Sequence, residues 1–537
     1  MRERRRVVNR DGDTGSAREQ VEGRQLGRLE DYFVPVLLVI AAVSHAYNMF
    51  NYPEYLGDEG IYLEQAWAVI RQAKLSPYTY FYDHAPAGWL VLAGWIALLP
   101  RQFTTFGMAI NSGRVFMLLV HVASVYLLYH VTRRLSRSTT AAFLTCLIFT
   151  LSPLGLFYQR MILLDNIMVF WLLLSLYWLV RHGERLMALL GSGLAFGLAL
   201  LTKENAVFFL PVLFYILYQE VKDSYRFRFA LSGWIFTWSI VVSIYPLYAF
   251  LKSELFPEGI SLVLTNEPGS HVSLISTFIW QLSRRGGSIM DPSSEFWFFF
   301  WGRWWPKDAA ILLLGASATL LNLAIGLSDL QGKRGRGFFV TSLLCLSFAL
   351  YLMRGSVILA FYVVPVVPFA AMNMGMLADR VIRVLPGTVA RWTFVLVAIV
   401  LTGVYLFLAR DHYTLNQTQL QARQLQFIRS NVPSSAFLII DDDLWVDLHE
   451  RSGRSPVYPK AHSHWKVQGD PDIREKMLGD DWRNADYLVL STGLADIFNG
   501  ALSAEREDFV LAAHNNSRTI AVFEQGNVRL EVRKINK

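Results

Sequence analysis

Apolar runs of about 20 residues, the length needed to cross a bilayer as a helix, recur along this chain. They decide what it can fold into. Eleven are read from the sequence, at 32–50, 114–132, 140–158, 161–180, 186–201, 204–219, 229–251, 309–328, 338–353, 356–377 and 391–409. Hydrophobic residues make up 53% of the chain and charged residues 17%, against about 25% charged in a soluble protein. The expected fold is therefore an all-α polytopic membrane protein with about 11 transmembrane helices. The two cysteines, Cys146 and Cys345, lie inside apolar runs, which argues against a disulfide framework.

The formal charge of +7 does not point to nucleic acid. Basic residues fall between the runs: Arg133, Arg134 and Arg137; Arg181 and Arg185; Lys222, Arg226 and Arg228; Lys333, Arg334 and Arg336; Arg380, Arg383 and Arg391. With eleven spans they share one side with the Arg-rich residues 1–31, which are expected to be disordered, and the positive-inside rule makes that side the cytoplasm. Residues 51–113, 252–308 and the tail 410–537 then lie outside. The apolar stretch 87–99 is too short to cross and is placed as an interfacial or re-entrant helix. In the tail, 413–431 reads as an amphipathic helix, Phe437–Ile440 and Tyr487–Leu490 as buried strands, and 519–533 as a strand pair. Together they make a small extracytoplasmic α/β domain.

Chemistry-bearing residues gather on the outer side. Asp58 and Glu59 follow the first run. Adjacent carboxylates there suit a general base or a divalent metal, and equally the favourable N-terminus of a helix. Asp83 and His84 precede Pro86 at the start of the short helix, where they could meet a headgroup or simply cap. Arg160 and Asp165 stand at the ends of two spans, as phosphate ligand and partner or as an ion pair between helices. Lys203 and Glu204 lie between two apolar runs, and Arg354 precedes Tyr362, Pro365 and Pro368. Arg160, Lys203 and Arg354 thus share the face of Asp58. Trp297, Trp301, Arg303, Trp304, Trp305 and Lys307 read as an interfacial belt or as a headgroup and sugar contact. Asp441–Asp443 and His462–His464 are of metal-ligating type and are assigned to surface loops.

The order of these motifs is similar to that of the C-type superfamily of membrane glycosyltransferases, near the protein O-mannosyltransferases and the aminoarabinose transferase of lipid A. The resemblance spans roughly residues 32–380 and rests on Asp58-Glu59, His84-Ala85-Pro86, Arg160 with Leu164-Asp165, Gly197 through Lys203, and Tyr362 through Pro368. Ala85 departs from the commoner His-Pro-Pro form. The resemblance implies inverting transfer of a sugar from a polyprenyl-phosphate donor in the bilayer to a protein, lipid or cell-wall glycan. Asp58 would be the base. Arg160, Lys203 and Arg354 would hold the donor phosphate, with Asp83, His84, Asp165, Glu204 and Tyr362 in support. Relatives differ in metal dependence, which leaves a divalent ion at Asp58 and Glu59 open. The rival reading is a transporter or flippase of a lipid-linked sugar, but such proteins often show repeated halves and midplane sites, and no repeat is found here.

Overall fold

The computed structural model describes residues 32–182, 185–222, 227–257, 273–451, 453, 455–498, 508–526 and 528–537. The expectation for residues 1–31 lies outside them, as does part of the second outer loop. Each of the eleven apolar runs is helical. The helices are α1 (Phe33–Ala46), α2 (Gly57–Gln72), α3 (Ala87–Leu98), α4 (Ala109–Ser136), α5 (Thr139–Leu151), α6 (Pro153–Gln159), α7 (Leu164–His182), α8 (Leu186–Thr202), α9 (Leu210–Val221), α10 (Phe227–Leu251), α11 (Leu274–Ser283), α12 (Trp305–Ser328), α13 (Lys333–Leu352), α14 (Val367–Ile382) and α15 (Gly387–Leu408). Seven helical stretches among the described residues are long and apolar enough to cross a membrane, and a bent pair would make an eighth. The runs behind α1, α8 and α9 give shorter helices.

Prolines explain where the runs break. The run 140–158 divides into α5 and α6 at an angle of 63°. Pro153 opens α6, and the Ser152 hydroxyl caps it by accepting from the Gly155 N–H at 3.2 Å. The run 356–377 begins as a 3₁₀ segment, Ala360–Val366, and becomes α14 where Pro368 occupies its first turn.

The two ends of the bundle differ. At one end Asp379 accepts from Arg383 at 2.8 Å and from Ser138 at 2.6 Å, while Arg134 donates to the Val180 carbonyl at 2.8 Å. These basic residues come from the loops read as sharing one side. At the other end stand α2, α3 and the tail.

The tail begins with α16 (Gln419–Asn431) and carries β1 (Leu438–Ile440), β2 (Ala461–Ser463), β3 (Tyr487–Leu490), β4 (Ser517–Gln525) and β5 (Val528–Ile535). The sheet order is β2-β1-β3-β5-β4, with β1 parallel to β2 and β3, and β5 antiparallel to β3 and β4. The sequence shows β1, β3 and the β4–β5 pair, while β2, Ala461-His462-Ser463, lacks the apolar run that marks β1.

The sheet docks on α2. A Cβ at Gly60 would lie 2.1 Å from the Asp442 carbonyl oxygen, and one at Gly57 would lie 2.7 Å from Asp441 Oδ1. Gln421 crosses the junction, donating to the Tyr55 carbonyl at 2.9 Å and accepting from its N–H at 3.0 Å. Ala109, at the start of α4, donates to Asp447 Oδ2 at 3.0 Å. Gly60→Ala is expected to push the tail off α2 and speed amide exchange in α2 and in 438–447 by about tenfold. Gly94→Ala, whose Cβ meets nothing within 4 Å, serves as the control. Unchanged exchange in Gly60→Ala would mean that the contact does not hold the two parts together.

Candidate functional site

The site starts from one helix N-terminus that carries two carboxylates with opposite fates. Glu59 is fully buried, and Arg114 of α4 meets it through Nε at 3.0 Å and Nη2 at 2.7 Å. Glu59 also accepts the N–H groups of Leu56 at 3.1 Å and Ile162 at 3.0 Å. Arg114 donates further to the carbonyls of Met49, Pro53 and Glu54. All five N–H donors of its guanidinium are thereby matched. Glu59 therefore offers no free carboxylate. This corrects its placement as a catalytic or metal-binding partner of Asp58, because four donors already surround it.

Asp58 turns the other way. It is half-buried, and no hydrogen bond engages its carboxylate among the described residues. Burial pushes its pKa up to about 6, while Lys203 and His84 pull it down and Asp441 and Asp165 raise it. The net balance favours a carboxylate that is ionised at neutral pH yet basic enough to take a proton.

Around Asp58 the chain collects residues from five segments. Tyr62, one turn along α2, is buried within electrostatic reach of Asp58, Asp165 and Tyr362. Lys203, at the end of α8, donates to Asp165 Oδ2 at 2.5 Å and lies 4.3 Å from the Tyr362 ring. An ion pair between Arg160 and Asp165 was one of the two readings of these residues, and it does not form. Asp165 pairs with Lys203 instead, because the turn after α8 carries the ammonium to the N-terminus of α7. Glu204 accepts the Ala85 N–H at 2.7 Å and stands 3.3 Å from His84 Nδ1, so it holds the His84-Ala85 turn. Asp83 is half-buried and acts electrostatically on Tyr245 and Lys466.

Arg160 is a second correction. It is fully buried and donates to the carbonyls of Ser44 and Tyr47 at 2.8 Å, His412 at 2.9 Å and Tyr52 at 3.3 Å. Its guanidinium closes helix ends and the entry to the tail, so no face of it meets a phosphate. Arg354 is exposed, stacks 3.7 Å above the Tyr351 ring and donates to the Tyr351 carbonyl at 2.8 Å. Beside it comes Arg284, which the sequence reading passed over. The Gly286 N–H bonds the Gly355 carbonyl at 3.0 Å, so the two arginine segments run together, and both arginines act on Tyr362. In the aromatic segment Trp301 is exposed, as a belt requires, whereas Trp304 is buried and donates to the Ala360 carbonyl at 2.5 Å.

Asp441 and Asp442 are the third correction. They are buried against α2 rather than placed on a surface loop, with His464 beside them. Arg114 joins the group unannounced, and Asp441, read as a metal-ligating type, joins it from an unexpected place. The signal for Arg114 was a lone arginine at the head of an apolar run.

The profile of the family described as dolichyl-phosphate-mannose-protein mannosyltransferase matches residues 83–245, a stretch with His84, Asp165, Lys203 and Glu204. ArnT from Cupriavidus metallidurans bound to undecaprenyl phosphate matches with a TM-score of 0.57 at 15% identity, over 94% of this chain and 97% of that one. The chain resembles the C-type membrane glycosyltransferases, near the O-mannosyltransferases and ArnT. The oligosaccharyltransferase of Archaeoglobus fulgidus gives 0.52 at 11% identity, over 91% of this chain and 73% of that one. The same archaeal enzyme in complex with an inhibitory peptide and a dolichol-phosphate gives 0.51 at 12% identity, over 93% and 74%. No curated protein matches the chain in sequence.

The two carboxylates should respond differently to neutralisation. Glu59→Gln leaves Arg114 buried without its counter-charge, and a loss of about 3–5 kcal/mol is expected. Asp58→Asn removes a charge that burial disfavours. Its folded pKa lies above the ordinary 3.8, so ionised Asp58 costs the fold stability as pH rises through about 4 to 6. Asp58→Asn is therefore expected to match or exceed the parent by about 1–2 kcal/mol near neutral pH, and to lose that margin below pH 4. Thermal unfolding of both variants in one lipid reads this. Equal destabilisation by both would contradict the assignment.

Proposed function

We propose that this protein is an inverting glycosyltransferase that moves a sugar from a polyprenyl-phosphate donor to an acceptor at the outer face of the cytoplasmic membrane. The observation that carries the reading is the divided state of the Asp58-Glu59 pair. Glu59 is locked to Arg114, and Asp58, beside Lys203 and His84, has no hydrogen-bond partner among the described residues. The fold shared with ArnT, whose structure holds undecaprenyl phosphate, supports the donor class.

In the proposed reaction the polyprenyl chain lies along the apolar helices. Its phosphate meets Arg284 and Arg354, with Lys203 behind them beside Tyr362. Asp58 takes the proton from an acceptor hydroxyl or amine. The freed oxygen or nitrogen attacks the anomeric carbon, the bond from that carbon to the phosphate oxygen breaks, and polyprenyl phosphate departs. Attack from the face opposite the phosphate inverts the anomeric centre. The fixed cations offset the charge that builds on the leaving phosphate, and the site otherwise positions reactants that are already activated. His84, held by Glu204, lines the acceptor side.

The topology completes the reading. Eleven spans put the basic clusters in the cytoplasm and α2, α3 and the tail outside, where lipid-linked sugars are presented. The short helices α1, α8 and α9 count as spans in this arrangement, and α3 lies at the interface. Residues 32–409 form the transmembrane catalytic unit and 410–537 the outer domain. The acceptor is a protein, a lipid or a cell-wall glycan.

The test is release of polyprenyl phosphate from a panel of polyprenyl-phosphate sugars by the purified protein in lipid, with membrane and wall acceptors added. Release from one donor, reduced at least a hundredfold in Asp58→Asn with donor binding kept, is the expected result. kcat/KM should fall about tenfold for each pH unit below about 6 and level off above it, as Asp58 loses its proton. Release unchanged in Asp58→Asn would overturn Asp58 as the base, and no release from any donor together with transbilayer movement of one would favour a transporter.

A further inference from the structure

A second group of ligating side chains lies in the tail, on the far side of the contact with α2. Strands β1 and β2 run parallel, with Ile440 opposite Ser463, so the residues that follow them emerge side by side. Asp441 and Asp442 leave β1 and His464 leaves β2. One ligand atom from each of these three residues lies within 4.8 Å of the other two. They are 8%, 2% and 7% exposed.

Among the described residues the hydrogen bonds that reach the two carboxylates come from neutral groups, and His464 is the charged neighbour that acts on Asp442. Asp441 accepts the Asp442 N–H at 2.7 Å and the Ser491 hydroxyl. Asp442 accepts the Ser463 hydroxyl, and Trp465 Nε1 at 2.9 Å. No arginine or lysine forms an ion pair with either among the described residues. An independent sign comes from α2. Glu64 is 1% exposed, its Oε2 has no hydrogen-bond partner, and it lies in the field of Asp442 and Lys466. Lys466 is one cation nearby, but its ammonium donates to the Thr79 carbonyl at 3.2 Å and sits 3.8 Å from the Phe81 ring. His464, when protonated, is a second. Against three buried carboxylates these two leave the pocket negative, and uncompensated buried charge is costly.

We propose that Asp441, Asp442 and His464 bind a divalent transition metal that fastens the tail sheet to α2, with Glu64 as the carboxylate facing it across the junction. Two carboxylate oxygens and one imidazole nitrogen suit Zn²⁺ or Mn²⁺ rather than a soft ion. Zn²⁺ at about 2.0–2.2 Å from each ligand needs ligand atoms about 3.4 Å apart, which side-chain rotation of about 1 Å supplies. The metal would neutralise Asp441, whose charge bears on Asp58, and would clamp the loop that abuts Gly57 and Gly60. The proposal stands whether or not the chain transfers a sugar.

The experiment uses the full chain in lipid nanodiscs, stripped with chelator and titrated with Zn²⁺ and separately with Mn²⁺. Metal retained after desalting is counted by mass spectrometry, and thermal unfolding is followed alongside. One equivalent of either metal, with a higher unfolding temperature, is expected. Asp442→Asn and His464→Gln should each weaken binding at least tenfold, whereas Asp58→Asn should keep it. Should the variants fail to fold, X-ray absorption of the Zn²⁺-loaded parent decides: oxygen and nitrogen ligation with a single imidazole supports the site. Retention of neither metal, retention unchanged in folded variants, or ligation by several imidazoles would overturn it.

Discussion

The Glu59–Arg114 pair is the constraint on which the outer end of this protein depends. A charged pair without solvent access is tolerated only when every donor and acceptor is matched. Here the match extends through the backbone. Arg114 gathers the carbonyls of Met49, Pro53 and Glu54, and Glu59 gathers the N–H groups of Leu56 and Ile162. The loop after α1, the start of α2, the head of α4 and the turn before α7 therefore meet at one point. Arg160 does the same a short way off for Ser44, Tyr47, Tyr52 and His412. Two buried guanidiniums serve as hubs for carbonyls that helix ends leave unmatched.

That rigidity gives Asp58 its character. Its neighbour in sequence is immobilised, so the first turn of α2 has one orientation, and Asp58 faces the Lys203–Asp165–Tyr362 group. A lysine neutralised by an aspartate at 2.5 Å is a moderate cation. It steadies the ionised Asp58 without stripping it of basicity. The half-buried Arg284 and the exposed Arg354 stand apart from that pair, on the side proposed for the headgroup. In the proposed reaction the base and the phosphate ligands are thus separate sets, with Tyr362 between them.

Much of this was legible in the sequence, and the missing parts have a common cause. Helices were visible because bilayer length and apolarity leave a long signal, and Pro153 and Pro368 broke two runs where φ restriction requires it. Asp58, His84, Lys203 and Tyr362 stood out as polar residues in apolar surroundings, and they do gather. Partner choice was not legible. Asp165 prefers Lys203 over Arg160, although Arg160 is only five residues away, because pairing follows the crossing of helices and not the distance along the chain. Glu59 and Asp58 read alike, since nothing local distinguishes a carboxylate that faces Arg114 from one that does not. The docking of the tail was hidden for the same reason. Gly57 and Gly60 look like helix-start residues until the Asp441 carboxylate and the Asp442 backbone are found where their Cβ atoms would be.

The central claim is spatial: the donor phosphate and Asp58 share one pocket at the outer end of the bundle. A structure of the protein in a nanodisc with an undecaprenyl phosphate-linked sugar tests it most directly. The phosphate should lie against Arg284 and Arg354, with Lys203 behind it, and the anomeric carbon should face Asp58 across a gap that admits an acceptor atom. Phosphate density at the opposite end, among Arg134, Arg336 and Arg383, or a sugar turned away from Asp58, would contradict the account.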